Sequence, residues 1–303
     1  MIRVVRLGTL LVLLVLAAPV AATAEDPSFV EWTALLPGLT TDFEPSSADD
    51  CAAGRTHCVD AAVREMKRRF DPLAAACDHN AIFSLTYLRT TEEYRRTIDD
   101  PAFFQDTNFV NHEDAVFARY YFRAYDDWAA GRQDAVPPAW AIAFRAADQH
   151  AVSAAGNIAL GINAHVQRDL PFVLAAIGLV KPDGSSRKPD HDRVNEFLNR
   201  VADDLYPEVA RRFDPTVDDS QVPGTTLDDF AEFQIIPTWR EIAWRNAERL
   251  VAASTDAARA QVAADIEAYA ASQAQTLVAA YQYGPLGSSA ARDAYCAVHH
   301  GDA

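Results

Sequence analysis

The chain has 303 residues, half of them apolar, and a net charge of −16. That apolar share is too high for a chain that stays disordered along most of its length, and the length suffices for a substantial core. So acidic a surface repels phosphate backbones and anionic headgroups, which speaks against nucleic acid as a partner.

The N-terminus carries the pattern of an export signal. Arg3 and Arg6 precede an apolar run from Leu7 to Val20, and Ala22-Thr23-Ala24 forms a small-x-small cleavage site. Residues 1–24 therefore read as a signal peptide, with a mature chain starting at Glu25 and acting outside the cell or in its envelope. The run is shorter than the roughly 18–20 residues that span a bilayer, and no later stretch is long and apolar enough to do so. Four cysteines, Cys51, Cys58, Cys77 and Cys296, suit an oxidising compartment and allow three pairings. The favoured set is Cys51–Cys58 with Cys77–Cys296, the second bridge closing a long loop worth roughly 4–5 kcal/mol in the chain-entropy view.

Residues 25–50 read as an irregular leader packed through Phe29, Trp32 and Leu36, and residues 51–303 as one helical domain. From about Ala52, Val59, Val63 and Met66 recur at helical spacing with Arg64, Lys67 and Arg68 outward. Pro72 is placed in the first turn of a second helix running to about Thr97. Asn111 is read as the N-cap of a third helix, with Glu113 and Asp114 in its first turn and Gly131 as its stop. Pro137 and Pro138 open an Ala-rich segment without a breaker as far as Asp169, resuming after Pro171; this is taken as the buried centre. Lys181 to Pro189 is a turn, and a helix follows from about Asp190 to Phe213. Asp214 to Asp229 is loop-like. Pro237 starts the next helix, Thr255 and Asp256 cap a long Ala-rich one, and a short helix from about Ser288 to Cys296 closes the chain. Strand alternation is nearly absent, so the fold class is all-α: a multi-helix, bundle-like domain around a central helix, stapled by disulfides.

The chemistry concentrates in Gly161-Ile162-Asn163-Ala164-His165-Val166-Gln167-Arg168-Asp169-Leu170-Pro171. Four residues apart on a helix, His165 and Asp169 share a face and have the spacing to chelate one divalent ion. Zinc or another divalent metal is the implied cofactor, and a catalytic zinc needs about three protein ligands and an open position. His112 and His79, each beside an acid, are the candidates to complete the shell, with Glu113 or Asp114 as catalytic base. His150 follows the same stripe as His165 but roughly 22 Å away along the helix axis. The competing reading of the pair is a satisfied polar contact in a helical core, with Asp169 capping the helix restarted at Pro171. His57, His191, His299 and His300 read as exposed or in loops and tails. Trp239, Arg240, Trp244 and Arg245 read as amphipathic packing with pairs to Glu241 and Glu248, the alternative being an anion-binding arginine framed by aromatics.

The run Asn163-Ala164-His165 with Asp169-Leu170-Pro171, preceded by Asn111-His112-Glu113, resembles an uncharacterised family of bacterial helical proteins, a domain of unknown function. The resemblance covers about residues 55–285 and implies the helical fold without an activity. Gly161, His165 and Asp169 are also similar to the Gly…His-x-x-x-Asp motif of the zinc-dependent phospholipase C and P1-type nuclease group. That likeness implies a secreted zinc phosphodiesterase. The sequence departs from it in starting at Glu25, where that group uses an N-terminal Trp as a ligand. These readings converge on a secreted metal-dependent hydrolase of phosphoesters or other esters, with a small-molecule or lipid-like substrate. The alternative is a non-enzymatic extracellular protein that binds a small ligand in a pocket near Phe117, Tyr121 and Trp128, or a cell-envelope interaction protein.

Overall fold

The computed structural model describes residues 42–217, 227–283 and 288–302. The expected signal peptide and most of the expected leader, with Phe29, Trp32 and Leu36, lie outside these. The described residues form helices and no strand, joined to short turns by two isolated bridges, Val152 to Gln282 and Val180 to Ser186. Both disulfides pair as expected, Cys51 with Cys58 and Cys77 with Cys296.

Helix α1 (Thr56–Ala75) buries Val59, Ala62, Met66, Phe70 and Leu73 at steps of three and four, and leaves Lys67 and Arg68 outside. It packs on α2 (Ala81–Thr97), whose Ile82, Leu85 and Leu88 have almost no exposed surface. Pro72 does not start α2: it sits in the last turn of α1, where it removes the hydrogen bond to the Arg68 carbonyl and the helix ends three residues later. The chain then turns at Ala76–Asn80 through Cys77, which has a φ of 53°.

Helix α3 (Thr107–Ala129) begins four residues ahead of the expected cap. Asp106 caps it by accepting from the Phe109 N–H, and the Asp190 carboxylate accepts from the N–H groups of Gln105 and Asp106 at 2.7 and 3.0 Å. Asn111 is instead buried inside the helix, donating to the Gly54 carbonyl and accepting from the Tyr94 hydroxyl. Glu113 and Asp114 consequently stand past the first turn, away from the helix-end dipole, and face inward. Gly131 ends the helix with φ 73°, as expected.

The Ala-rich segment is broken where no Gly or Pro marks it. Helix α4 (Pro138–Asp148) ends in a left-handed turn at His150, and Ser153 caps α5 (Ala154–Ile162). After α5 the backbone widens into a π-helical stretch, Asn163–Asp169, and narrows again as α6 (Leu170–Ile177). Pro171 gives the physical reason. It has no N–H for the Gln167 carbonyl four residues back, and its ring would press on that carbonyl, so the turn before it opens. Every residue of the π stretch is buried, and it packs against α3, α4, α9 and α10.

After the turn at Lys181–Arg187 come α7 (Lys188–Arg193) and α8 (Asn195–Arg212). Helix α9 (Leu227–Ala252) runs through Pro237 instead of starting there. Thr255 caps α10 (Asp256–Ala280), as expected, and α11 (Ser289–His299) starts where expected, with Ser288 as its cap, and runs three residues past Cys296.

Candidate functional site

The π stretch places His165 and Asp169 in direct contact. Nδ1 of His165 lies 3.2 Å from Oδ2 of Asp169, and both side chains are buried. Asp169 is an acceptor, so Nδ1 carries the proton and Nε2 presents its lone pair. The same Oδ2 accepts from the Trp140 indole at 2.9 Å, and Oδ1 accepts from the Arg168 guanidinium at 3.0 Å. Arg168 in turn pairs with Glu267 at 2.7 Å. A carboxylate with its oxygens so engaged acts as an orienting group behind the imidazole and not as a second chelating ligand.

The imidazole is framed by aromatic rings. Phe117 stacks on its face with centroids 3.5 Å apart and planes at 6°, and Tyr87 meets it edge-on at 4.4 Å. Gly161, one turn earlier, lets Phe83 lie against the helix: a Cβ there would come within 2.0 Å of the Phe83 ring. Burial pushes the His165 pKa below its ordinary value, against the pull of Asp169, so the ring is neutral at neutral pH.

His165 opens on a cavity of about 110 Å³ among α2, α3, the π stretch, α8 and α9. That is room for several waters or a small organic group. Glu113 and Asp114 line it from α3. Each keeps some accessible surface, yet each is enclosed by protein. Burial raises both carboxyls to about 7; the neighbouring Glu113 charge adds to the rise at Asp114, while Arg240 opposes it at Glu113. Among the described residues, four buried polar atoms from residues lining this cavity have no hydrogen-bond partner: Nε2 of His165, Oδ2 of Asp114, the Tyr87 hydroxyl and Nε of Arg240.

Arg240 reaches the cavity from α9. Its Nη2 donates to the His191 carbonyl at 2.7 Å, and its Nε has no partner among the described residues. Burial lowers its pKa to about 10, so it stays charged at neutral pH. Packing thus describes Arg245, which pairs with Glu241 and Glu248, but not Arg240. The distinguishing signal is in the sequence: the residues three and four away from Arg240 are Ile236, Pro237, Ala243 and Trp244, all apolar, whereas two of the four such neighbours of Arg245 are acids, Glu241 and Glu248. His191, read as exposed, is buried beneath Arg240.

The other two proposed ligands lie elsewhere. His112 is buried with Nδ1 2.8 Å from the Cys51 carbonyl, beside Phe43 and Phe109. His79 meets His150 and Asp293 in a separate cluster. The fold therefore does not bring His165, Asp169, His112 and His79 to one point. Of the aromatic residues assigned to a pocket, Phe117 lines the cavity while Tyr121 and Trp128 do not.

Taken together, these features define an all-helical, disulfide-stapled protein with a His–Asp pair at a π-helical turn facing a small internal cavity. Residues 59–280 match DUF5995, a family of unknown function, and the chain belongs to that family. No curated protein and no solved structure matches it.

Proposed function

We propose that this is a secreted hydrolase whose cavity takes a small ester group, with the His165–Asp169 pair as base and Glu113 and Asp114 as acids. One observation carries the reading: unpartnered polar atoms of His165, Asp114 and Tyr87 converge on one cavity from three elements. Each such buried atom costs about 1–3 kcal/mol when left unpaired, and a ligand that bonds to them offsets that cost. Groups with pKa values moved toward neutrality in a cavity are also what proton transfer requires.

The chemistry follows from the geometry. Nε2 of His165 takes a proton from water, and the water oxygen bonds to the ester carbonyl carbon. Asp169 stabilises the imidazolium so formed. The carbon–oxygen bond to the leaving group breaks, and that oxygen takes a proton from whichever of Glu113 and Asp114 is protonated. His165 then returns its proton to that carboxylate, releasing acid and alcohol. Arg240 adds positive charge near the developing oxyanion. Two carboxyls at the cavity wall oppose a phosphate dianion, which favours carboxylic esters over phosphoesters.

The same convergence supports a second reading, a non-catalytic protein that binds a small ligand. The aromatic frame around His165 favours it, because a stacked ring gives up freedom that catalysis uses. A panel of short-chain p-nitrophenyl esters separates the two. Turnover that falls roughly 10²–10⁴-fold in folded His165→Ala supports the hydrolase. Saturable binding without turnover supports the binder, and neither result leaves the cavity without a function of this kind. N-terminal sequencing of the exported protein tests the secretion reading, with Glu25 as the expected first residue.

A further inference from the structure

A second concentration of chemistry lies outside the cavity. His79 from the α1–α2 turn, His150 from the α4–α5 turn and Asp293 from α11 meet at one point. Nε2 of His79 is 2.8 Å from Oδ1 of Asp293, and Nδ1 of His150 is 2.9 Å from Oδ2. The two rings stack with centroids 4.0 Å apart, and one ligand atom from each of the three residues lies within 4.8 Å of the others. His79 is buried, while His150 and Asp293 are partly exposed and line an open cleft of about 720 Å³.

The backbone around this cluster is unusual. Cys77 and His150, with φ of 53° and 51°, are the two non-glycine residues in the left-handed region among the described residues. Each ends a helix in the same way: its own N–H and the next one bond back to carbonyls of the last turn, Cys77 and Asp78 to Ala74 and Leu73, His150 and Ala151 to Ala147 and Ala146. Glycine serves that position best, because a Cβ is penalised there. What the residues present add is a side chain directed at one place. His150 supplies a ring to the cluster. Cys77, two residues before His79, binds Cys296, which lies one turn from Asp293 on α11. Strain retained at two turns that serve the same three side chains marks a site.

The geometry points to a divalent-cation site of the zinc class formed by Nε2 of His79, Nδ1 of His150 and the Asp293 carboxylate, with a fourth position open to the cleft. Two imidazoles and a carboxylate are a donor set that suits zinc. Tetrahedral bonds of about 2.0–2.1 Å hold ligand atoms about 3.3 Å apart, so the two imidazole–carboxylate contacts lengthen by a few tenths of an ångström and ligand atoms now within 4.8 Å of one another adjust to that spacing when the ion is admitted. To bind the ion through Nε2 of His79 and Nδ1 of His150, each ring carries its proton on its other nitrogen, Nδ1 of His79 and Nε2 of His150, and turns its lone pair to the metal. Asp78 and Asp148 in the same cleft add negative charge. Arg292 opposes them, but its guanidinium is directed to Asn157 and the Val152 carbonyl and lies 3.9 Å from Asp214. None of the three ligands lines the His165 cavity, so this site is separate from the one proposed above.

The test uses the full mature chain with both disulfides intact, stripped with a chelator and titrated with Zn²⁺ by calorimetry and with Co²⁺ by visible absorbance. The expected result is one ion per chain, weakened at least roughly tenfold in Asp293→Asn and in His150→Gly, and unchanged in His165→Ala and His300→Ala. His150→Gly is the informative variant, because it removes a ligand while relieving the left-handed turn, so loss of binding there does not reflect misfolding. No saturable binding by the wild-type chain overturns the proposal. So does full-strength binding in both ligand variants, which would leave Asp293 as no more than the shared acceptor of two imidazoles.

Discussion

Oδ2 of Asp169 accepts from both Nδ1 of His165 and the Trp140 indole, so one carboxylate oxygen orients the imidazole while being held in place itself. Asparagine at 169 keeps the size but loses the charge opposite Arg168. Breaking a buried pair of this kind costs about 3–5 kcal/mol, and the ring is free to exchange which nitrogen is protonated. Asp169→Asn is expected to lower stability by that order in urea unfolding and to lower ester turnover as far as His165→Ala does. A variant that loses stability alone would make Asp169 purely structural.

The two carboxyls at the cavity give stability a pH dependence of definite sign. Their folded pKa values of about 7 lie above the ordinary 4.5 of Glu and 3.8 of Asp, so the folded state holds protons that the unfolded state releases. This contribution is fully present below the unfolded values, is lost as pH rises to about 7, and is constant above that. For Glu113 alone it amounts to up to about 3 kcal/mol. Glu113→Gln is therefore expected to gain stability relative to wild type across that window, and to keep the gain at higher pH. Denaturant midpoints measured at acid, neutral and mildly alkaline pH check this; a constant difference at all pH values contradicts it.

Gly161 is the position where a single methyl group reaches the site from behind. In Gly161→Ala the new carbon meets the Phe83 ring, which must move, and overpacking of this kind costs about 1–3 kcal/mol or more. Because Phe83 contacts the His165 ring at 5.9 Å, activity is expected to fall with stability. Thermal unfolding and the ester assay read the two effects separately.

The disulfides should differ in weight. Cys77 and Cys296 are 219 residues apart, Cys51 and Cys58 seven. The chain-entropy view assigns about 5 kcal/mol to the first and about 2.5 kcal/mol to the second. Replacing each pair by serine and comparing unfolding free energies tests the order; equal losses would show that loop length does not govern them here.

The helical architecture was legible from apolar spacing and caps, as at Val59–Met66, Thr255 and Ser288. Two boundaries fail for one reason: proline reads as a helix start at 72 and 237, where the surrounding packing carries the helix through it. The break at His150 was hidden because a non-glycine residue occupies a left-handed turn. His165 and Asp169 were visible as a pair four apart, but chelation and hydrogen bonding have the same spacing, and only the partners of Asp169 distinguish them. Tyr87 carried no local signal, and the meeting of His79 with Asp293 depends on a contact 214 residues away in the chain.

Burial keeps His165 neutral, and Asp169 fixes its proton on Nδ1, leaving a bare Nε2 toward the cavity. Nitrogen-15 correlation spectra of the histidine rings, with His165 assigned by its Ala variant, measure this directly. The account predicts a neutral Nδ1–H tautomer at neutral pH that changes to a mixed tautomer in Asp169→Asn. An imidazolium, or a proton on Nε2 in the wild-type chain, would contradict it.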